Sequence, residues 1–213
     1  MSIDDIHTHA DRPGAIINCC FPDFFPEEGR YYSVGVHPWQ ACLLDDAARK
    51  LLRAFLSHRQ VVAVGEAGLD KAAKADWALQ EDVFAFHAVL AEETRKPLVI
   101  HSVRASNETV NLKRRLSPSV PWIIHGFRGN ANVAGQYLSH GFYLSFGERF
   151  QPDALRATPL SRLFVETDES RAGIDAIYRE IAIGKGIPEE LLRDRVQANI
   201  REVFFKGKSC LFR

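Results

Sequence analysis

Six side chains, His7, His9, Glu66, His101, His125 and Asp168, have the types and setting of a metal-ligand set. His7 and His9 stand one residue apart in "DDIHTHAD" (4–11), and the other four follow short apolar runs. Taken singly, a histidine at such a place is explained by packing, and a carboxylate by a helix cap or a surface ion pair. Taken together they are not, because four imidazoles and two carboxylates cannot be gathered out of water unless they are paired or hold a cation. Imidazole and carboxylate without thiolate suit zinc, manganese, magnesium, iron or nickel, and six donors exceed what one tetrahedral ion needs. Two divalent ions fit better, with Glu66 bridging them, His7 and His9 on one, His101 and His125 on the other, and Asp168 completing the first. A divalent ion lowers the pKa of its water far toward neutrality, to about 7, and a nearby carboxylate can take the proton. The chemistry expected is hydrolysis, with Asp168 and Glu66 as the catalytic carboxylates.

The elements that position these groups alternate along the chain. Eight runs rich in β-branched residues read as strands: 2–9, 14–20, 31–37, 60–66, 97–101, 121–125, 141–147 and 161–168. Several are almost continuously apolar, as strands of a parallel sheet covered on both faces are. Helical patterns occupy 45–58, 76–95, 105–116, 130–140, 172–186 and 188–205, the last with Pro188 and two acids at its start. After the first strand only "ADRP" intervenes, and after the second "FPDFFPEEGR", whose two prolines oppose a full helix. The pattern predicts an α/β protein of one domain over residues 1–213, a (β/α)8 TIM barrel abbreviated near its first two βα units. An open doubly wound sheet is the alternative, but no Gly-rich loop follows the first strand. In a barrel the six polar residues fall on one rim, at the C-terminal ends of the strands. Residues two apart on a strand face one side, so His7 and His9 point together. Asp5 lies deeper on that side, placed to orient a ligand by hydrogen bonding.

Composition excludes little. Lys+Arg and Asp+Glu are equal at 27 each, so no global field draws a polyanion, and recognition of one would need a local patch or bound cations. No apolar stretch reaches the roughly 20 residues of a membrane span, which leaves the cytoplasm as the default location and no protein partner in view. Cys19, Cys20, Cys42 and Cys210 form no CxxC pair and read as reduced thiols, Cys42 at the opening of a helix. His87 and His140 lie on helical segments away from the rim and read as structural, while His58 ends a helix, where a cation suits the dipole.

Nine segments in order resemble the TatD family of metal-dependent deoxyribonucleases, within the amidohydrolase-like barrels. They are "DIHTH" (5–9), "VGVHPW" (34–39), "VGEAGLD" (64–70), "QEDVFAFHAVLA" (80–91), "PLVIHSVRA" (97–105), "IIHGFRGN" (123–130), "GFYLSFG" (141–147), "LFVETDES" (163–170) and "NIREVF" (199–204). The resemblance implies a (β/α)8 fold, a two-metal centre and hydrolysis of DNA phosphodiester bonds, with the same six ligands. Relatives in that superfamily that use a carboxylated lysine on strand 4 are set apart, because Glu66 stands there and the strand holds no lysine. The chain departs from the family where Val103 replaces an arginine, with Arg104 one place later, and where Ser170 replaces a proline. Lys71 also stands where an aromatic is usual, and the chain is shorter than the family norm near strands 1 and 2 and after strand 8. His37, Arg104 and Arg128 are the candidates for holding the phosphate, the arginines through their guanidinium forks. Trp39 reads as rim packing that could also stack on a base. Small phosphoesters or other esters are the alternative substrates, and a barrel that binds metal without turnover is the non-enzymatic alternative.

Overall fold

The computed structural model describes residues 3–206, so Cys210 lies outside the described residues. Eight strands follow one another in a single sheet in chain order: β1 (Asp5–Thr8), β2 (Ala15–Cys20), β3 (Tyr31–Gly35), β4 (Val61–Asp70), β5 (Leu98–Val103), β6 (Trp122–Ile124), β7 (Tyr143–Phe146) and β8 (Leu163–Val165). The pairings run parallel, and a parallel bridge from Thr8 to Asp168 joins β1 to the segment leaving β8. This is the (β/α)8 barrel topology expected from the alternating pattern. Seven helices are described: α1 (Asp46–Leu56), α2 (Trp77–Thr94), α3 (Ser106–Leu116), α4 (Ala131–Ser139), α5 (Pro152–Ala157), α6 (Ile174–Lys185) and α7 (Glu189–Phe204). No helix among the described residues is long and apolar enough to cross a membrane.

The chain divides into two compact units, one formed by the residues up to Ile17 with those from Ile124 on, the other by Asn18–Ile123. In the second unit Val61, Val62, Ala63 and Val64 are buried, which explains their continuous apolar run. Helices α1 and α2 start on aspartates, whose side chains accept the otherwise orphaned amides of Ala48 and Leu79. No helix follows β2. Instead Phe24 packs on Tyr32, Phe55 and His58 at ring separations of 5.5, 5.1 and 5.5 Å, so aromatic side chains cover the ground that a βα unit would cover with a helix. Cys42 does not open a helix. It sits exposed in a 3-10 segment, Pro38–Leu43, because the capping residue of α1 is Asp45 three positions later.

In the first unit, Phe127, Tyr137, Phe142 and Phe146 form one aromatic cluster, and Phe164 of β8 packs on Phe204 of α7 at 5.6 Å. Pro188 caps α7 from just outside it, with Glu189 and Glu190 in the first turn, where acids suit the dipole. The six-residue α5, with Pro152 at its start, escaped the sequence reading because it is too short to show a period.

One boundary matters for the site. Strand β4 runs to Asp70, four residues past the expected end at Glu66, with a register irregularity between Val64 and Ala67. Glu66 is therefore a mid-strand residue, and Asp70 holds the strand's C-terminal end.

Candidate metal centre

Each unit gathers its own cluster of donors. In the first, Asp168 is fixed to β1 by its backbone: its N–H donates to the His7 carbonyl at 2.9 Å, and the His9 N–H donates to its carbonyl at 3.2 Å. That path takes Asp168 through a positive φ of 54°, a left-handed conformation uncommon outside glycine but better tolerated by aspartate than by most residues. The turn aims its carboxylate at the imidazoles. Oδ1 lies 3.8 Å from His7 Nε2 and 3.6 Å from His9 Nε2. The rings of His7 and His125 are 4.2 Å apart, and donor atoms of His7, His125 and Asp168 fall within 4.8 Å of one another. His7 is fully buried, whereas the His9 side chain is 30% exposed.

Glu166, two residues before Asp168, was not among the expected site residues. It is completely buried, and its Oε1 lies 3.3 Å from His125 Nδ1 and accepts the Gly126 N–H at 2.6 Å. A carboxylate there receives the Nδ1 proton of His125 and leaves the Nε2 lone pair for an ion. Burial pushes the Glu166 carboxyl up, but the His125 hydrogen bond and the nearby His125 and His7 hold it below its ordinary value. Alternation along the strand was the available signal, since Glu166 and Asp168 are separated by one residue as His7 and His9 are.

Asp5 acts on the backbone and on the Thr167 side chain. One oxygen accepts the N–H of Thr167 at 3.1 Å and of His7 at 3.3 Å, and the other accepts the Thr167 hydroxyl at 2.7 Å. It thereby ties the strand bearing His7 to the residue between Glu166 and Asp168. Burial raises its carboxyl to about 6 despite the Thr167 bonds and the Arg12 guanidinium 3.6 Å away. Arg128 places Nη2 3.8 Å from Asp168 Oδ2, and both line a pocket of about 240 Å³ with Gly126, Gly147, Glu166 and Ser170.

The second unit brings together Glu66, His101 and His37. Glu66 Oε1 is 2.8 Å from His101 Nδ1 and 3.3 Å from His37 Nε2, and these two nitrogens are 3.3 Å apart. Asn18 of β2 holds the carboxylate, its amide donating to Oε2 at 3.1 Å while its carbonyl accepts the Glu66 N–H at 3.0 Å. On the far side of the His101 ring, Nε2 lies 3.3 Å from Asp70 Oδ2. With Nε2 donating to that carboxylate, Nδ1 keeps its lone pair toward Glu66, as a metal-binding histidine requires.

His37 differs in what its ring already binds. Its Nδ1 accepts the Trp39 N–H at 3.2 Å, which places the ring proton of the neutral form on Nε2, facing Glu66. An Nε2 that carries the proton donates rather than ligates, so His37 suits an anionic oxygen better than an ion. Glu66 Oε1 and His101 Nδ1, which face each other at 2.8 Å, are an oxygen and a nitrogen of the kinds that fit a divalent cation. Arg104, directly after β5, is exposed with a backbone φ of 53°. Asn18 and Asp70 are further residues the sequence reading missed. Asn18 is a lone polar residue in "AIINCC", and Asp70 is four residues beyond Glu66 on a strand longer than expected.

The model of the family described as TatD related DNase matches residues 26–205. The "uncharacterized metal-dependent hydrolase TatD" of Mycobacterium tuberculosis is 34% identical over 151 residues, 65% of this chain and 57% of its own length. The chain thus spans under three-fifths of that relative. Human "3'-5' RNA nuclease TATDN2" is 30% identical over 168 residues, 73% of this chain and 22% of that protein. Among solved structures, the TatD homologue YJJV of Escherichia coli superposes with a TM-score of 0.84 at 19% identity, covering 95% of this chain and 97% of that one. That likeness bears on the fold.

Proposed function

Because the chain belongs to the TatD-related DNase family, we propose that it is a metal-dependent phosphodiesterase that cleaves nucleic acid, DNA first. In this reading His7, His9, His125 and Asp168 hold one divalent ion, and Glu66 and His101 help hold another. The observation that carries it is the convergence of Asp168 on three imidazoles, with Glu166 buried behind His125. The relatives named as metal-dependent hydrolases and as an RNA nuclease support the same reading.

Bound divalent cations supply an activated water at neutral pH and polarise the phosphoryl oxygens. The protein's own groups do the rest. Asp168 takes the proton of the attacking water on its carboxylate. Arg128, alongside it, offers a guanidinium fork to a non-bridging phosphate oxygen. His37 donates its Nε2 proton to an anionic oxygen, since its Nδ1 is occupied by the Trp39 amide. Asp5 keeps the His7 and Asp168 segments in register through Thr167.

The test is hydrolysis of single-stranded DNA by manganese-loaded protein, with and without prior chelation. Asp168→Asn should lower kcat by about a thousandfold, within the range of a lost general base, while leaving the circular dichroism spectrum unchanged. No cleavage by the wild-type protein with any divalent metal would overturn the reading. A second reading, a hydrolase of small phosphoesters, is favoured by the modest volume of the pocket beside Asp168. Faster turnover of a small monoester than of DNA would establish it.

A further inference from the structure

Trp39 is 65% exposed, the largest side chain among the described residues to be so open. Yet it is not loosely held. Its indole Nε1 donates to Asp70 Oδ2 at 2.6 Å, and Asp70 is itself 2% exposed. The same carboxylate oxygen lies 3.3 Å from His101 Nε2. The ring meets His37 edge to face, with centroids 4.9 Å apart and planes at 86°, and lies 6.5 Å from His101. Pro38 stiffens the backbone in front of it, and the Gln40 N–H closes the turn onto the His37 carbonyl at 2.8 Å.

A tryptophan that serves the core buries its ring. This one satisfies its single polar atom on a buried carboxylate and leaves most of its apolar surface in water, in an orientation fixed by Asp70 and by His37. Both fixing residues belong to the Glu66–His101 cluster or touch it. A rigid, open aromatic beside a site for phosphate is what a flat heteroaromatic base stacks on, and every base can do so because every base has a π-face.

We propose that Trp39 is a specificity-determining platform that stacks the nucleobase next to the scissile phosphate, so that the protein prefers a nucleotide chain to a phosphodiester without bases. This rests on the phosphodiesterase reading above. Trp39 acts on the substrate directly, and through Asp70 it also steadies His101, so the two effects have to be separated.

Two substrates and two variants separate them. Manganese-loaded protein is given oligothymidylate, or an oligomer of the same length built from propanediol phosphate, which has the same charge and no bases. Trp39→Ala should lower the ratio of kcat/KM for the first substrate over the second by about tenfold, within the range lost with one stacked base, and mostly through KM. Trp39→Phe keeps a stacking face and drops the bond to Asp70, so it should restore most of that ratio. If the ratio is unchanged in Trp39→Ala, or if both substrates suffer alike in both variants, Trp39 is only a strut for Asp70 and the proposal falls. A readout independent of turnover is the fluorescence of chelator-treated protein. Trp122 is buried and Trp77 partly so, so oligothymidylate should quench chiefly Trp39, and the quench should vanish in Trp39→Ala. Quenching without cleavage by the wild-type protein would leave the platform standing and remove the phosphodiesterase reading; cleavage without quenching would do the reverse.

Discussion

His87 gives a prediction whose size follows from the structure. It is fully buried on α2, where Nδ1 lies 2.7 Å from the Val83 carbonyl and Nε2 accepts the Val36 N–H at 2.9 Å. Both bonds require the neutral ring with its proton on Nδ1, and they fasten the chain one residue before His37. Burial pushes the pKa of this imidazole down to about 4, the Val83 bond opposing and the Arg49 charge adding to the fall. In the unfolded chain the ring titrates near its ordinary 6.5. The folded state thus refuses a proton that the unfolded state accepts, so stability from this group is complete above about 6.5 and is lost as pH falls toward 4. Between pH 7 and pH 5 the loss is about 2 kcal/mol, and over the whole window about 3 kcal/mol, at about 1.4 kcal/mol per pH unit. Glutamine at this position can still accept the Val36 N–H but does not titrate. Urea unfolding of chelated protein should therefore show His87→Gln less stable than wild type at pH 7, with the gap between them about 2 kcal/mol smaller at pH 5. A gap of equal size at both pH values would refute the assignment of a buried neutral histidine.

Three further outcomes follow from the clusters and the strand that carries Glu66. Glu166→Gln weakens the acceptor for His125 Nδ1, and titration calorimetry with manganese should show affinity lower by roughly 10- to 100-fold with little change in unfolding midpoint; unchanged affinity would remove Glu166 from the site. Arg128→Ala should raise KM for single-stranded DNA by about tenfold with a smaller change in kcat, as expected for a phosphate contact worth about 1.4 kcal/mol. Gly68 pairs with His101 across β4 and β5, and a β-carbon there would stand 1.9 Å from the His101 carbonyl oxygen. Gly68→Ala should cost more than about 3 kcal/mol or abolish soluble expression, and a variant of normal urea midpoint would show the register to be wrong.

What could be read from the sequence, and what could not, divides on physical grounds. The eight strands were legible because runs such as Val61–Val64 are buried on both faces and so carry no polar residue to interrupt them. The end of β4 was not, because "EAGLD" holds two acids and a glycine and reads as a loop. It stays in the sheet because partners elsewhere in the chain satisfy those groups: Asn18 holds Glu66, and the Asp70 N–H donates to Gln80 at 2.8 Å while its carboxylate accepts from Trp39. Spacing marked His7, His9, His125 and Asp168 near strand ends, whereas His101 lies inside β5, which runs on to Val103. Spacing could not mark Glu166 as the group behind His125, because two carboxylates one residue apart look equivalent until the backbone turn at Asp168 separates them. The same limit applies to Asp5, whose partner Thr167 is 162 residues away. For His37 the sequence suggests a phosphate contact through the motif alone, and the physical reason lies outside it: the Trp39 amide on Nδ1, a contact made by a 3-10 turn, puts the ring proton of the neutral form on Nε2. What lies behind each ring, one bond beyond what a motif records, sets which nitrogen carries the proton and which faces the cluster.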